Sequence, residues 1–164
     1  MEQEIDSIDA MMQFGRRIGA ACHGGEVIEL IGDVGAGKTT LTKGIADGLG
    51  VEDEVQSPTF TLLRTYHTRE GGVLAHYDFY RLTDPGILSA ELADATLAGD
   101  TTVVVEWADT VHHVLPQDRL RLSILATSEE GRHVSLHAGG PRSTKTLEAL
   151  RRYYFGIALR RKSS

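Results

Sequence analysis

Residues 32–40 read GDVGAGKTT, and the fold turns on this stretch. Gly32, Gly37, Lys38 and Thr39 satisfy the G-x-x-x-x-G-K-[ST] spacing of a P-loop. Such a loop needs a strand before it and a helix after it. Val27 to Ile31 is a short apolar run before a glycine, as a strand requires. Beyond the loop, Leu41, Ile45 and Leu49 fall at i, i+4 and i+8, and Gly50 is placed to end the helix in a left-handed cap. The backbone N–H groups of Gly35, Ala36 and Gly37 would then face phosphate oxygens, reinforced by the positive end of the helix dipole. Glycine is needed because a Cβ would block that approach. Lys38 would reach the β and γ phosphates, Thr39 would give its hydroxyl to Mg2+, and Thr40 would bond the α phosphate.

Outward from the loop, Ile8, Met11, Met12, Gly15, Gly19 and Cys22 recur at helical steps. They predict a first helix that ends at Gly24-Gly25. Thr59 to Tyr66 and Val73 to Tyr80 are rich in β-branched and aromatic residues, and residues 68–72 can turn, so a hairpin is expected. In its second arm His76, Asp78 and Tyr80 share one face, and Ala75, Tyr77 and Phe79 the other. Residues 86–98 read as helix, Thr101 to Val105 as a strand delivering Glu106, and Arg119 to Ala126 with His133 to Ala138 as a second hairpin. The expected fold is an α/β P-loop NTPase-like domain: a mixed, partly parallel sheet flanked by helices, with two β-hairpins. Residues 1–140 would form this ATPase domain and 141–164 a basic C-terminal helical tail.

A chain of 164 residues with 41% hydrophobic and 24% charged residues can bury a core, which argues against disorder. It has no apolar run of membrane-spanning length, so no membrane association is expected. The start carries Glu2, Glu4, Asp6 and Asp9 instead of a basic, then apolar, leader. The single cysteine, Cys22, has no internal partner for a disulfide. The expected location is therefore cytoplasmic. The net charge of −6 is uneven: past Gly140 seven cations face only Glu148, leaving this end at about +6 and the rest at about −12. A basic end can meet nucleic acid or an acidic partner, or simply be solvated. The acidic body argues against direct binding of RNA or DNA by the chain alone.

Glu106 at a strand's carboxyl end occupies the Walker-B position, where Asp is the usual Mg2+-holding residue. A solvated strand-end acid is the alternative. Ser57-Pro58-Thr59 stands where P-loop proteins often keep a hydroxyl that senses the γ phosphate, or it is a proline-led entry into a strand. Asp78 either orients an attacking water or pairs with Arg81 on the surface. GTPases read guanine with N-K-x-D, and this sequence contains no asparagine, so adenine, and hence ATP, is expected. His23 and His112-His113 lack the Cys or carboxylate spacing of a zinc site.

GDVGAGKTT, SPTFTL from Ser57, HYDFYRL from His76 and VEWAD from Val105, in this order and spacing, resemble the TsaE family. These are the small ATPases of bacterial tRNA threonylcarbamoyladenosine synthesis. The resemblance covers roughly residues 5–138, and H-x-D-x-Y-R followed by E-W is its specific part. It implies that Thr39 and Glu106 bind Mg2+, that Asp78 sits on the γ-phosphate side as a catalytic residue alongside Lys38, and that Trp107 borders the nucleotide. It further implies that Ser57 and Thr59 belong to a switch-like segment, that Arg132 after Gly131 reaches the nucleotide, and that the region near Ser7 touches adenine. The family acts with TsaD and TsaB, TsaD performing the chemistry on tRNA, so contact with tRNA would be indirect, through the complex.

Two other functions share the P-loop. A small nucleoside or metabolite kinase needs an Arg-bearing lid, and none is evident between residues 84 and 118. A nucleotide sensor that does not hydrolyse ATP has no use for water-orienting acids such as Asp78 and Glu106.

Overall fold

The computed structural model describes residues 1–58 and 61–162, with side chains as far as Tyr154. Its strands are β1 (Glu2–Ile5), β2 (Val27–Ile31), β3 (Leu63–His67), β4 (Val73–Asp78), β5 (Thr101–Glu106), β6 (Leu120–Ala126) and β7 (Arg132–Ala138). The helices are α1 (Ile8–Ala20), α2 (Lys38–Gly48), α3 (Ile87–Leu97) and α4 (Pro141–Lys162). The strands form one sheet in the order β1-β7-β6-β2-β5-β4-β3. β6, β2, β5 and β4 run parallel at its centre, while β3, β7 and β1 pair antiparallel at its flanks. Mixed sheet, flanking helices and both hairpins match the expected architecture.

The period-2 alternation of the strands divides the core. Ile28, Leu30, Leu74, Val104 and Leu122 pack with α1, α2 and α4 on one face. Val27, Ala75, Tyr77, Val103 and Val105 pack with α3 and the 108–115 turns on the other. His76, Asp78 and Glu106 follow the parity of Leu74 and Val104, so they belong to the α2 face. Leu147 and Leu150 of α4 are buried in that same core, so the first half of this basic helix is part of the packed body. Asp118 caps it, accepting from the Arg142 and Ser143 N–H groups at 2.8 and 2.9 Å and from Ser143 Oγ at 2.7 Å. Burial pushes the Asp118 carboxyl up, but these hydrogen bonds and the Arg142 charge outweigh it and hold the group below its ordinary value.

α1 lies unusually close to α2. A Cβ on Gly15 would stand 2.5 Å from Leu41 O, one on Gly19 2.1 Å from Ile45 O, one on Gly44 2.4 Å from Met12 O and one on Gly48 2.2 Å from Arg16 O. Each helix thus presents a glycine pair four residues apart, and the two backbones meet there without side chains between them.

Several boundaries differ from the expectations. α1 ends at Ala20, not at Gly24-Gly25, because the Glu26 carboxylate takes the His23 and Gly24 N–H groups at 2.9 Å and turns the chain away. β4 stops at Asp78, whose Oδ1 accepts the Tyr80 N–H at 2.9 Å and closes a turn. β3 begins at Leu63, preceded by Thr61 and Leu62, whose N–H groups both donate to Pro58 O. β1 was not anticipated. Four residues with two acids carry little strand signal, and β1 is held instead by β7, with His133 joined to Glu2 and Glu4 across the pair.

Candidate active site

The P-loop leaves the carboxyl end of β2, the central strand. Gly37 takes φ 106° at the N-cap of α2, a left-handed conformation that a side chain would strain. The loop therefore hands its N–H groups to the start of the helix, where partial positive charge collects. Gly35, Ala36 and Gly37 lie in this loop, with Ala36 buried, and Lys38, Thr39 and Thr40 form the first turn of α2.

Lys38 is 6% exposed. Its Nζ donates to Gly32 O at 2.7 Å and Asp33 O at 2.9 Å and stands 4.6 Å from the centre of the Trp107 ring. Burial lowers the affinity of this amine for its proton, opposed by the charges of Glu106, Asp78 and Asp33, and the net shift is downward. Two of these three acids, Glu106 and Asp78, are those read from the sequence.

β5 lies beside β2, and β4 beside β5, so the parallel register sets Asp78 directly next to Glu106 at the strand ends. Asp78 and Glu106 are each 3% exposed. Glu106 is therefore not a solvated strand-end acid. Asp78 is likewise no surface partner for Arg81, whose guanidinium lies 4.9 Å from the centre of the Tyr80 ring. The Glu106 carboxylate is held by His76, with Nε2 and Oε1 2.9 Å apart. Trp107 adopts φ 55°, a left-handed turn at the end of β5 that swings its indole between Lys38 and Tyr80, whose ring centre is 4.9 Å away.

Arg132 opens β7 and reaches across to the loop. Its Nε donates to Ala36 O at 3.0 Å and its Nη2 to Gly35 O at 3.3 Å, while Nη1 serves the carbonyls of Ser128, Glu129 and Gly131. It thus braces the P-loop against the hairpin turn, a role that sequence reasoning missed. Beside it a pocket of about 210 Å³ is lined by Ser7, Ile8, Met11, Gly37, Thr40 and Arg132, among others. Ile8 is 73% exposed there, an apolar side chain at the mouth of the pocket. Thr59 lies outside the described residues. Ser57 is described and exposed, in the segment between α2 and β3.

Among the described residues no three His, Cys, Asp or Glu side chains converge to hold a metal by themselves. Mg2+ seldom needs such a cage, since it binds through one or two protein oxygens plus substrate phosphates. Glu106 and the half-buried Thr39 beside a P-loop supply that kind of donor set. The residues fit the ion. Of the described helices, none is long and apolar enough to cross a membrane.

The family model of threonylcarbamoyl adenosine biosynthesis protein TsaE matches residues 5–134. The tRNA threonylcarbamoyladenosine biosynthesis protein TsaE of Streptomyces coelicolor is 40% identical over 138 residues, which cover 80% of this chain and 93% of that one. Its counterpart from Bacillus subtilis is 41% identical over 132 residues, covering 79% and 80%. The crystal structure of YdiB from Bacillus subtilis superposes with a TM-score of 0.77 at 31% identity, covering 93% of this chain and 95% of the other.

Proposed function

The chain belongs to the TsaE family of tRNA threonylcarbamoyladenosine biosynthesis proteins, and on that premise we propose that it is a Mg2+-dependent ATPase working with TsaD and TsaB in the cytoplasm. The observation that carries this reading is the convergence of Lys38, Glu106 and Asp78 at the carboxyl ends of β2, β5 and β4, flanking a P-loop. Ligands of open parallel sheets bind in the crevice outside those ends.

In this reading the N–H groups from Gly35 to Thr40 cradle the phosphates, and Lys38 offsets the charge of the β and γ groups. Thr39 and Glu106 would hold Mg2+, which when bound would neutralise charge developing on the phosphate oxygens. Asp78 orients the attacking water. Its burial beside Glu106 and its bond to the Tyr80 N–H fix the direction of the carboxylate. Trp107 packs over the phosphate-binding lysine, and adenine enters the pocket at Ser7, Ile8 and Met11, where Ile8 offers an apolar face. Arg132 contacts the nucleotide from the rim of that pocket while holding the loop carbonyls. Ser57 and Thr59 form the segment that responds to the γ phosphate.

No tRNA-modifying chemistry is assigned to this chain. The ATP cycle would reset the TsaD and TsaB assembly between rounds of modification. ATP turnover measured with and without purified TsaB and TsaD, scored together with threonylcarbamoyl transfer to tRNA, tests the proposal. The expected result is slow turnover by the chain alone and repeated tRNA modification only when all three proteins and ATP are present. Multiple-turnover modification by TsaB and TsaD without this chain would refute it.

A further inference from the structure

His76 has no exposed surface, yet among the described residues its Nδ1 finds no hydrogen-bond partner. An apolar side chain at this position would avoid leaving a buried polar atom unsatisfied. The other ring nitrogen shows what the imidazole is for, since Nε2 lies 2.9 Å from Glu106 Oε1. The register explains how they meet: His76 pairs with Val104, and Asp78 with Glu106, so His76 and Glu106 are diagonal neighbours on one face of the β4–β5 ladder. A carboxylate only accepts hydrogen bonds, so Nε2 must carry a proton in this contact.

We infer that His76 is a positioning residue: its Nε2–H holds Glu106 Oε1, fixes the rotation of the carboxylate and leaves Oε2 for the metal. The inference rests on the reading of Glu106 as the metal-holding acid. Such an outer partner orients a ligand it never replaces, and its loss typically costs 10- to 100-fold in metal affinity. Simple core filling by the imidazole would predict no selective effect on metal.

The test uses the full-length chain with a non-hydrolysable ATP analogue and Mn2+ as a paramagnetic stand-in for Mg2+. Mn2+ affinity is read by electron paramagnetic resonance, and metal-free nucleotide affinity by Trp107 fluorescence in chelator. His76→Leu should weaken Mn2+ binding about 10- to 100-fold while metal-free nucleotide affinity stays near wild type. His76→Gln, whose side-chain amide can donate to the same oxygen, should restore most of the loss. A folded His76→Leu chain with wild-type Mn2+ affinity overturns the inference, as does equal loss of metal-bound and metal-free affinity. If His76→Leu does not fold, the wild-type tautomer decides. Nitrogen-15 NMR of the His76 ring should show Nε2 protonated, and a ring with Nε2 bare overturns the inference. A wild-type chain that binds the analogue but no Mn2+ overturns the metal reading of Glu106 itself, which distinguishes the two failures.

Discussion

The two ends of the parallel strands both carry cavities and glycines, yet among the described residues the P-loop stands at only one of them. At the carboxyl ends the pocket beside the P-loop measures about 210 Å³, whereas the cavities at the amino ends measure about 640 and 630 Å³. The larger spaces have the weaker case. Around the 640 Å³ cavity Gly19 and Gly48 are already used in helix packing, where any Cβ would strike backbone. At the P-loop the situation is reversed: a Cβ on Gly35 would meet nothing within 4 Å, and one on Gly37 only the end of Met11 at 3.4 Å. Gly19 and Gly48 let the two helices approach each other, and Gly35 and Gly37 leave room for something else. Converging charge marks the same distinction, since the charges of Glu106, Asp78 and Asp33 act on the buried Lys38 at the P-loop end.

The largest expected effect probes that convergence. Loss of a water-orienting or general-base group costs on the order of 10²- to 10⁴-fold in rate. Phosphoryl transfer depends on positioning, so ATP affinity should change far less. Asp78→Ala should therefore bind ATP nearly as wild type, join TsaB and TsaD, and fail to sustain repeated tRNA modification. Affinity by calorimetry, phosphate release and modified tRNA form the readouts. Wild-type multiple-turnover rates in the mutant would remove Asp78 from its role.

A smaller effect tests what glycine does away from the phosphate site. Gly44→Ala on α2 gains about 0.8–1.0 kcal/mol of helix propensity. Against this, its Cβ would sit 2.4 Å from Met12 O and 2.9 Å from Gly15 Cα, backbone atoms that cannot rotate aside. Overpacking of this kind costs about 1–3 kcal/mol. The clash should win, and denaturant unfolding should show net destabilisation at unchanged m-value. A stabilised Gly44→Ala would mean that the helices are free to separate and that the glycines are not there for contact.

What was legible in the sequence follows the same division. The P-loop, the strand before it and the helix after it were readable because each local signal is short and chemically constrained: glycine for approach, lysine for charge, apolar residues at two fixed periods. Glu106 is visible as a strand-end acid and Asp78 as an acid within a strand expected to reach Tyr80, but their adjacency comes from the β4–β5 register, which no local window contains. His76 is placed on the face of Asp78 by alternation, but its bond to Glu106 is invisible for the same reason. Its partner is 30 residues away, and a lone histidine in a strand carries no signal of its own. Arg132 was read toward the nucleotide, while its carbonyl contacts to residues 96 and 97 positions distant emerge only when the last hairpin folds over the loop. Gly44 and Gly48 were passed over because a glycine pair within a helix acquires meaning only with Gly15 and Gly19 opposite.

The smallest expected effect concerns the far cavity, which Arg69 and Glu70 help to line. Arg69 is the natural residue to change, because a cavity that bound an anion would use its guanidinium. That group pairs with Glu52 at 2.9 Å, and the two side chains are 74% and 72% exposed. An ion pair so open to water is worth roughly 0–1 kcal/mol. The backbone of the segment is tied separately, through Arg69 N–H to Gly50 O at 3.0 Å and the Val51–Thr68 bridge, and alanine keeps both. Arg69→Ala should therefore leave thermal stability almost unchanged, within about 0.5 kcal/mol as for most surface substitutions. ATP affinity and phosphate release should match wild type at low and at physiological salt. The salt comparison matters because a long-range role of the Arg69 charge would surface at low ionic strength and fade as screening rises. A fall in nucleotide affinity or turnover, greater at low salt, would make the amino ends of the strands a second functional region, and the contrast between the two ends would no longer hold.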